Sequence, residues 1–171
     1  MNMLRKVLLT LFVLTFTTCK SDTEKRNESA TFEIEHLTYQ SLKPILYKND
    51  NKTYVVNFWA TWCKPCVEEL PFFEKINKNE NVEVILMSLD FPDQVESRLI
   101  PFIKERNIKS KIVLLIDPDQ NSWIPKISKD WSGAIPATLI YNCNKRKLYE
   151  QSFSYEQLQK EVTKFINYEI N

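Results

Sequence analysis

Two cysteines stand at the spacing that disulfide chemistry uses. Cys63 and Cys66 lie in Trp62-Cys63-Lys64-Pro65-Cys66, directly after an apolar run and at the head of a segment with helical periodicity. Positions i and i+3 are neighbours on a helix, so the two sulfurs can reach bonding distance. A cysteine at a helix N-terminus meets the positive end of the helix dipole and unpaired N–H groups. Both stabilise the thiolate, which is the nucleophile. Lys64 adds positive charge in the same direction. Pro65 fits the first helical turn, where its missing N–H costs nothing, and it stiffens the small ring that a disulfide would close. Cys63 is then expected to be the exposed, attacking sulfur. Cys66, one turn deeper, is expected to resolve the mixed disulfide by intramolecular attack.

Zinc is the rival chemistry for such a pair. A structural zinc site usually needs four ligands, often two such pairs, whereas this chain has no second pair and a single distant histidine, His36. A static structural disulfide is the other rival, but a bridge over so short a loop constrains the unfolded chain little. Redox use is favoured over both, with no metal and no organic cofactor implied.

The elements that must position this pair can be read from hydrophobic periodicity. Thr53–Ala60 (TYVVNFWA) is β-branched and aromatic and predicts a central strand buried on both faces. From Cys63 to about Lys78, Val67, Leu70, Phe73 and Ile76 recur at helical steps, with Pro71 expected to kink the helix. Thr31–Leu37 alternates and predicts a half-buried strand with Phe32, Ile34 and His36 on the apolar face. A hydrogen-bonded strand histidine is the favoured reading of His36 over a catalytic one. A short helix over Ser41–Tyr47, a strand over Val82–Leu89, a helix over Asp93–Asn107 disturbed by Pro101 and a strand over Ile112–Ile116 follow. Ser122–Lys129 reads as short and irregular. Ala137–Tyr141 and Lys147–Gln151 read as a hairpin across Asn142-Cys143-Asn144, and Tyr155–Asn167 as a terminal helix. Alternating strands and helices predict an α/β domain, a central mixed β-sheet with helices on both faces.

NFWATWCKPCVEELP resembles the active-site stretch of TlpA-like thioredoxin-fold proteins, the exported thiol–disulfide oxidoreductases, and GAIPATLIY resembles that family's cis-proline segment. The resemblance runs from about Thr31 to the C-terminus and implies the thioredoxin fold. It implies a cis Ile135–Pro136 bond facing the redox pair, with Trp62, Ile135 and Pro136 meeting the substrate. A cis proline presents no N–H to the disulfide and leaves the backbone of Ile135 able to pair with an extended peptide. Cytosolic thioredoxins carry a buried Asp six residues before the first cysteine. Here that position is Asn57, which cannot ionise. Glu69 matches a glutamate found in many TlpA-like reductases, three residues after Cys66, and burial there would raise its pKa and suit it to acid–base work. Its neighbour Glu68 is expected to be solvated. Trp123 and Trp131 fit either a substrate groove or ordinary packing, and Cys143 reads as a non-catalytic thiol.

Arg5 and Lys6 precede the apolar run Val7–Thr18, which is shorter than the roughly 20 residues a membrane-spanning helix needs. Basic residues, a short apolar run and then Cys19 resemble a bacterial lipoprotein signal, although Phe16 and Thr18 depart from its preferred residues. We therefore expect residues 1–18 to be a signal peptide and 19–30 a lipid anchor at Cys19 with a polar tether (KSDTEKRNESA). The thioredoxin-like domain is expected over 31–171, on an exported, periplasm-facing membrane lipoprotein of the cell envelope. Lys and Arg (23) nearly balance Asp and Glu (22), so no net field favours nucleic acid. A single glycine, Gly133, excludes glycine-rich nucleotide loops.

The resemblance implies reduction of disulfides in exported client proteins, apocytochrome c among the candidate clients, with re-reduction by a membrane thiol-electron donor. Two alternatives stand beside it. A thiol peroxidase of the peroxiredoxin group shares the fold, but it places Thr or Ser three residues before the reactive cysteine, where this chain has Ala60. A non-enzymatic thioredoxin-fold binding lipoprotein would leave the intact cysteine pair without a use.

Overall fold

Residues 34–166 are described by the structure, a computed structural model. The expected signal peptide, Cys19, the tether and Phe32 lie outside the described residues. The chain runs β1 (Glu35–Leu37), α1 (Tyr39–Leu46), β2 (Thr53–Trp59), α2 (Lys64–Ile76), β3 (Val82–Ser88), α3 (Ile100–Arg106), β4 (Lys111–Leu115), α4 (Gln120–Ile127), β5 (Ala137–Tyr141), β6 (Arg146–Tyr149) and α5 (Tyr155–Ile166). The six strands form one sheet in the order β1-β4-β3-β2-β5-β6. β1, β4, β3 and β2 run parallel, and β5 and β6 pair antiparallel to complete a mixed sheet.

Every residue of β2 is buried, as its β-branched and aromatic composition predicts for a strand covered on both faces. Alternation divides its side chains between two cores. Val55 and Trp59 join Leu70 and Phe73 of α2, Ile103 of α3, and Leu158 and Phe165 of α5. Tyr54, Val56 and Phe58 join Leu42 and Leu46 of α1 and Trp123 and Ile127 of α4. Each fully buried aromatic or large aliphatic side chain contributes about 1.5–3 kcal/mol, so the two cores fix the helices firmly against the sheet. The sheet is central, with helices on both faces.

Three readings of the sequence change, and one left open is decided. The single helix expected over 93–107 is a 3-10 turn (Pro92–Gln94), a π turn (Val95–Leu99) and then α3. Pro101 supplies the reason. It has no N–H to give, and its ring crowds the carbonyl four residues back, a conflict that the wider π turn just before it relieves. The Ile100 N–H instead bonds the Val95 carbonyl, five residues back. The segment expected to be irregular over 122–129 is α4, which buries Trp123 and Ile127 and runs through Pro125. α2, read from the sequence as one helix with Pro71 inside it, is one helix. His36 is exposed rather than on a buried face, because β1 is a short edge strand with only one neighbour. Trp123 and Trp131 are packed, not groove-lining: both are buried, their rings lie 5.7 Å apart, and their indole N–H groups bond the carbonyls of Asp117 and Ala134.

Gly133 precedes the proline segment with φ +94°, where a Cβ would stand 2.9 Å from Ile124 Cδ1. Both the backbone angle and the close approach call for glycine.

Candidate active site

β2 ends at Trp59, and the chain turns once before α2 begins. The turn is closed by the Cys63 N–H donating to the Ala60 carbonyl at 3.1 Å. Cys63 is the N-cap of α2, with Pro65 in the first helical turn, and its carbonyl accepts the Val67 N–H at 3.0 Å. The N-cap is where polar side chains accept a bond from the N–H two or three residues on. A thiolate at Cys63 would occupy that acceptor position, where the unpaired N–H groups and the helix dipole stabilise negative charge.

Cys63 and Cys66 are joined by a disulfide, with Cα atoms 5.3 Å apart. Cys66 is completely buried, whereas Cys63 is 6% exposed. The difference has the expected sign, but Cys63 is far more covered than the sequence suggests. Trp62 beside it is 48% exposed. Lys64 points into solvent and lies 3.9 Å from Glu68, itself largely exposed, so solvent and a counter-charge screen whatever it offers Cys63.

The Ile135–Pro136 bond is cis. In the β2–β5 register, Phe58 faces Ala137, so Pro136 falls level with the end of β2 from which the cysteine turn departs. Pro136 is buried, and Ile135, half-buried, packs against the core cluster that contains both cysteines. The fold thus brings Trp62, Cys63, Cys66, Ile135 and Pro136 to one end of the sheet, at the carboxyl ends of its parallel strands, where open α/β sheets place their sites.

Glu69 lies one turn beyond Cys66 and is 1% exposed. Its Oε1 accepts from the Asn57 side-chain amide at 3.1 Å and its Oε2 from the Phe153 N–H at 2.8 Å. Burial drives its pKa up to about 7, against the opposing pull of the Phe153 N–H and the Asn57 amide. Asn57, fully buried, also donates to Thr138 Oγ1 at 3.2 Å. Its Oδ1 has no partner among the described residues. β2, α2 and β5 therefore meet around Asn57, one helical turn along from Cys66, and Glu69 is the group there whose pKa lies near neutrality. The sequence singled out Asn57 only for what it lacks. That it holds Glu69 is set by two elements crossing in space.

Asp90, just past β3, was missed by the sequence reading and is 3% exposed beside the cysteine turn. Its carboxylate accepts from the Thr61 N–H and hydroxyl and from the Ser88 hydroxyl. An acidic residue at the carboxyl end of the strand next to the cysteine-bearing one was the available signal. Among the described residues, no cluster of three or more His, Cys, Asp or Glu side chains could hold a metal ion. Cys143 is exposed in the β5–β6 turn, remote in sequence from the redox pair.

Residues 25–133 match the family model described as Redoxin. A thiol-disulfide oxidoreductase ResA from Oceanobacillus iheyensis is 37% identical over 98 residues, covering 56% of this chain and 46% of the relative. ResA of Bacillus thuringiensis subsp. konkukian is 26% identical over 118 residues, covering 67% and 62%. The chain thus spans less than two thirds of the length of these curated relatives. A thioredoxin family thiol:disulfide interchange protein from Chlorobium tepidum is similar in structure, with a TM-score of 0.56 at 18% identity over 68% of this chain and 81% of that one. That likeness confirms the fold. With the family model matched over residues 25–133, the chain belongs to the Redoxin family and has the thioredoxin fold that its resemblance to TlpA-like proteins implies.

Proposed function

We propose that the protein is a thiol–disulfide oxidoreductase that reduces disulfides in exported proteins. The observation that carries this reading is the Cys63–Cys66 disulfide at the N-terminus of α2, with Cys66 completely buried and Cys63 keeping a small exposed surface. In the reduced protein, the Cys63 thiolate attacks one sulfur of a client disulfide, and the other client sulfur leaves as a thiolate. Cys66, deprotonated, then attacks the Cys63 sulfur, so the second client thiolate leaves and the Cys63–Cys66 disulfide forms. Two electrons pass to the client. Glu69 takes the Cys66 proton; a carboxyl that titrates near 7 can accept and return it at neutral pH. Trp62, Ile135 and Pro136 receive the client segment, and a membrane thiol-electron donor re-reduces the pair.

Localisation belongs to the same proposal. A signal peptide over 1–18 and lipidation at Cys19 would hold the domain at the outer side of a membrane, on a polar tether. Among the described residues, no helix is long and apolar enough to cross a membrane. Mass spectrometry of the mature N-terminus tests the anchor: a diacylglycerol-modified Cys19 supports it, and a mature chain with unmodified Cys19 contradicts it. The names of the ResA relatives support the choice of activity, and apocytochrome c is a candidate client. The test is reduction of insulin by the dithiol form, followed by turbidity. Activity lost in Cys63→Ser supports the reading, and a Cys63→Ser variant as active as the parent contradicts it.

A further inference from the structure

We infer that Asp90 is a positioning residue for Cys63, acting through Thr61. The turn that presents Cys63 has no backbone partner at its centre. β2 and β3 pair as far as Trp59 and Ser88, and the Leu89 N–H still reaches the Trp59 carbonyl at 2.8 Å. Beyond that the ladder stops. The Thr61 N–H turns to the carboxylate of Asp90, 3.2 and 3.1 Å from its two oxygens, and the Thr61 hydroxyl donates to Oδ1 at 2.5 Å. One residue earlier, the Ala60 carbonyl accepts from Cys63 itself. A side chain thus replaces the missing strand partner at the middle of a turn whose last residue is the attacking cysteine.

The carboxylate is itself fixed. Its Oδ2 accepts from the Ser88 hydroxyl at 2.8 Å, and the Asp90 N–H donates to the same Ser88 oxygen at 3.1 Å. That second bond sets the hydroxyl so that its proton faces the carboxylate. Among the described residues, no lysine or arginine lies within ion-pair distance of Asp90. A carboxylate buried without a cation is expensive and is retained only where hydrogen-bond donors saturate it. Here the donors come from the cysteine turn and from the end of β3, so the group couples those two segments and nothing else. Removing it leaves the Thr61 N–H without a partner and releases the turn that aims Cys63. Release of the turn also loosens the hold of the α2 N-terminus on Cys63, whose thiolate the unpaired N–H groups and the helix dipole stabilise there.

The inference rests on the exchange reading above, so its test has a readout that needs no client. In the full-length reduced chain, alkylation of Cys63 by iodoacetamide is followed across pH by mass spectrometry, with insulin reduction alongside. Asp90→Ala is expected to slow insulin reduction roughly 10-fold or more, the scale of a misplaced reacting group, and to shift the pH midpoint of Cys63 alkylation. Asp90→Asn keeps an acceptor oxygen for the Thr61 N–H and is expected to recover most of the rate. Thr61→Val, which removes only the hydroxyl bond, should move the rate in the same direction by a smaller factor, and it serves should the alanine variant fail to fold. Folded variants that match the parent in both rate and alkylation midpoint would overturn the inference. A parent that alkylates at Cys63 yet reduces no disulfide would defeat the exchange reading, and the alkylation comparison would still decide the role of Asp90.

Discussion

The Asn57 side-chain amide donates to Glu69 Oε1 at 3.1 Å, and both residues are buried. Asn57 lies on β2 and Glu69 on α2, so this bond links the strand that leads into the redox turn with the helix that leads out of it. A neutral amide under a carboxyl leaves that carboxyl free to carry one proton or none. Desolvation then sets its pKa near 7.

Glu69 makes folding stability pH-dependent in a direction opposite to most carboxylates. Its folded pKa, about 7, is above the ordinary value of 4.5. The folded state therefore holds its proton more tightly than the unfolded state, and stability is lost as pH rises from 4.5 through 7. A shift of this size corresponds to about 3 kcal/mol at most. Urea unfolding of the oxidised protein and of Glu69→Gln at pH 5 and pH 8 isolates the effect, because other groups cancel between the two. We expect the parent to lose about 2–3 kcal/mol more than the variant between these pH values. Parallel losses would mean that Glu69 is not desolvated.

Asn57→Asp should sharpen that dependence. Two carboxyl groups at hydrogen-bond distance cannot both ionise, so the pair would share one proton and titrate as a unit. At pH 5 the variant is expected to lie within about 1 kcal/mol of the parent, the net worth of the lost amide bond. At pH 8 it should be less stable by roughly 3 kcal/mol or more. Urea unfolding at the two pH values checks this, and equal losses at both would contradict it.

Gly133→Ala should destabilise the fold by about 1–3 kcal/mol, the range for residues forced into sparsely populated backbone regions. The φ of +94° and the 2.9 Å approach to Ile124 Cδ1 both act against the new methyl group. Thermal unfolding of the purified variant measures the loss. A variant as stable as the parent would mean that the 132–134 loop relaxes freely.

Trp62→Ala should act on clients and not on the sulfurs. Trp62 is the exposed large aromatic next to Cys63, and such side chains dominate contact energies when a partner covers them. We expect its KM for insulin to rise about 5- to 10-fold, equivalent to roughly 1–1.4 kcal/mol, with oxidation of the dithiol by a small disulfide such as oxidised glutathione nearly unchanged. A parallel loss with both substrates would move Trp62 from client contact to support of the turn.

Much of the fold could be read from periodicity because the relevant segments are uniformly buried or cleanly amphipathic. TYVVNFW is a two-sided strand, and Leu158, Val162 and Phe165 mark one face of α5. Reading failed where one residue redirects the backbone, as Pro101 does, or where helix formation rests on two buried side chains, as in α4 with Trp123 and Ile127. At the site, local spacing was enough for Cys63 and Cys66, since three residues on one helix turn determine their approach. It reached the position of Glu69 but not its partners Asn57 and Phe153, which sheet and helix packing bring to it, and it missed Asp90, whose bond to Thr61 exists only because β2 and β3 end side by side.

The central claim is that Cys63 attacks and Cys66 resolves. The direct measurement is trapping: the Cys66→Ser and Cys63→Ser variants, reduced and then mixed with a disulfide-bonded protein such as insulin, are run on non-reducing gels and the adduct site is mapped by mass spectrometry. With its resolving thiol removed, Cys66→Ser should accumulate a mixed disulfide on Cys63, and Cys63→Ser should accumulate none on Cys66, because Cys66 is completely buried. Adducts on Cys66 in Cys63→Ser, with none on Cys63 in the other variant, would contradict the account.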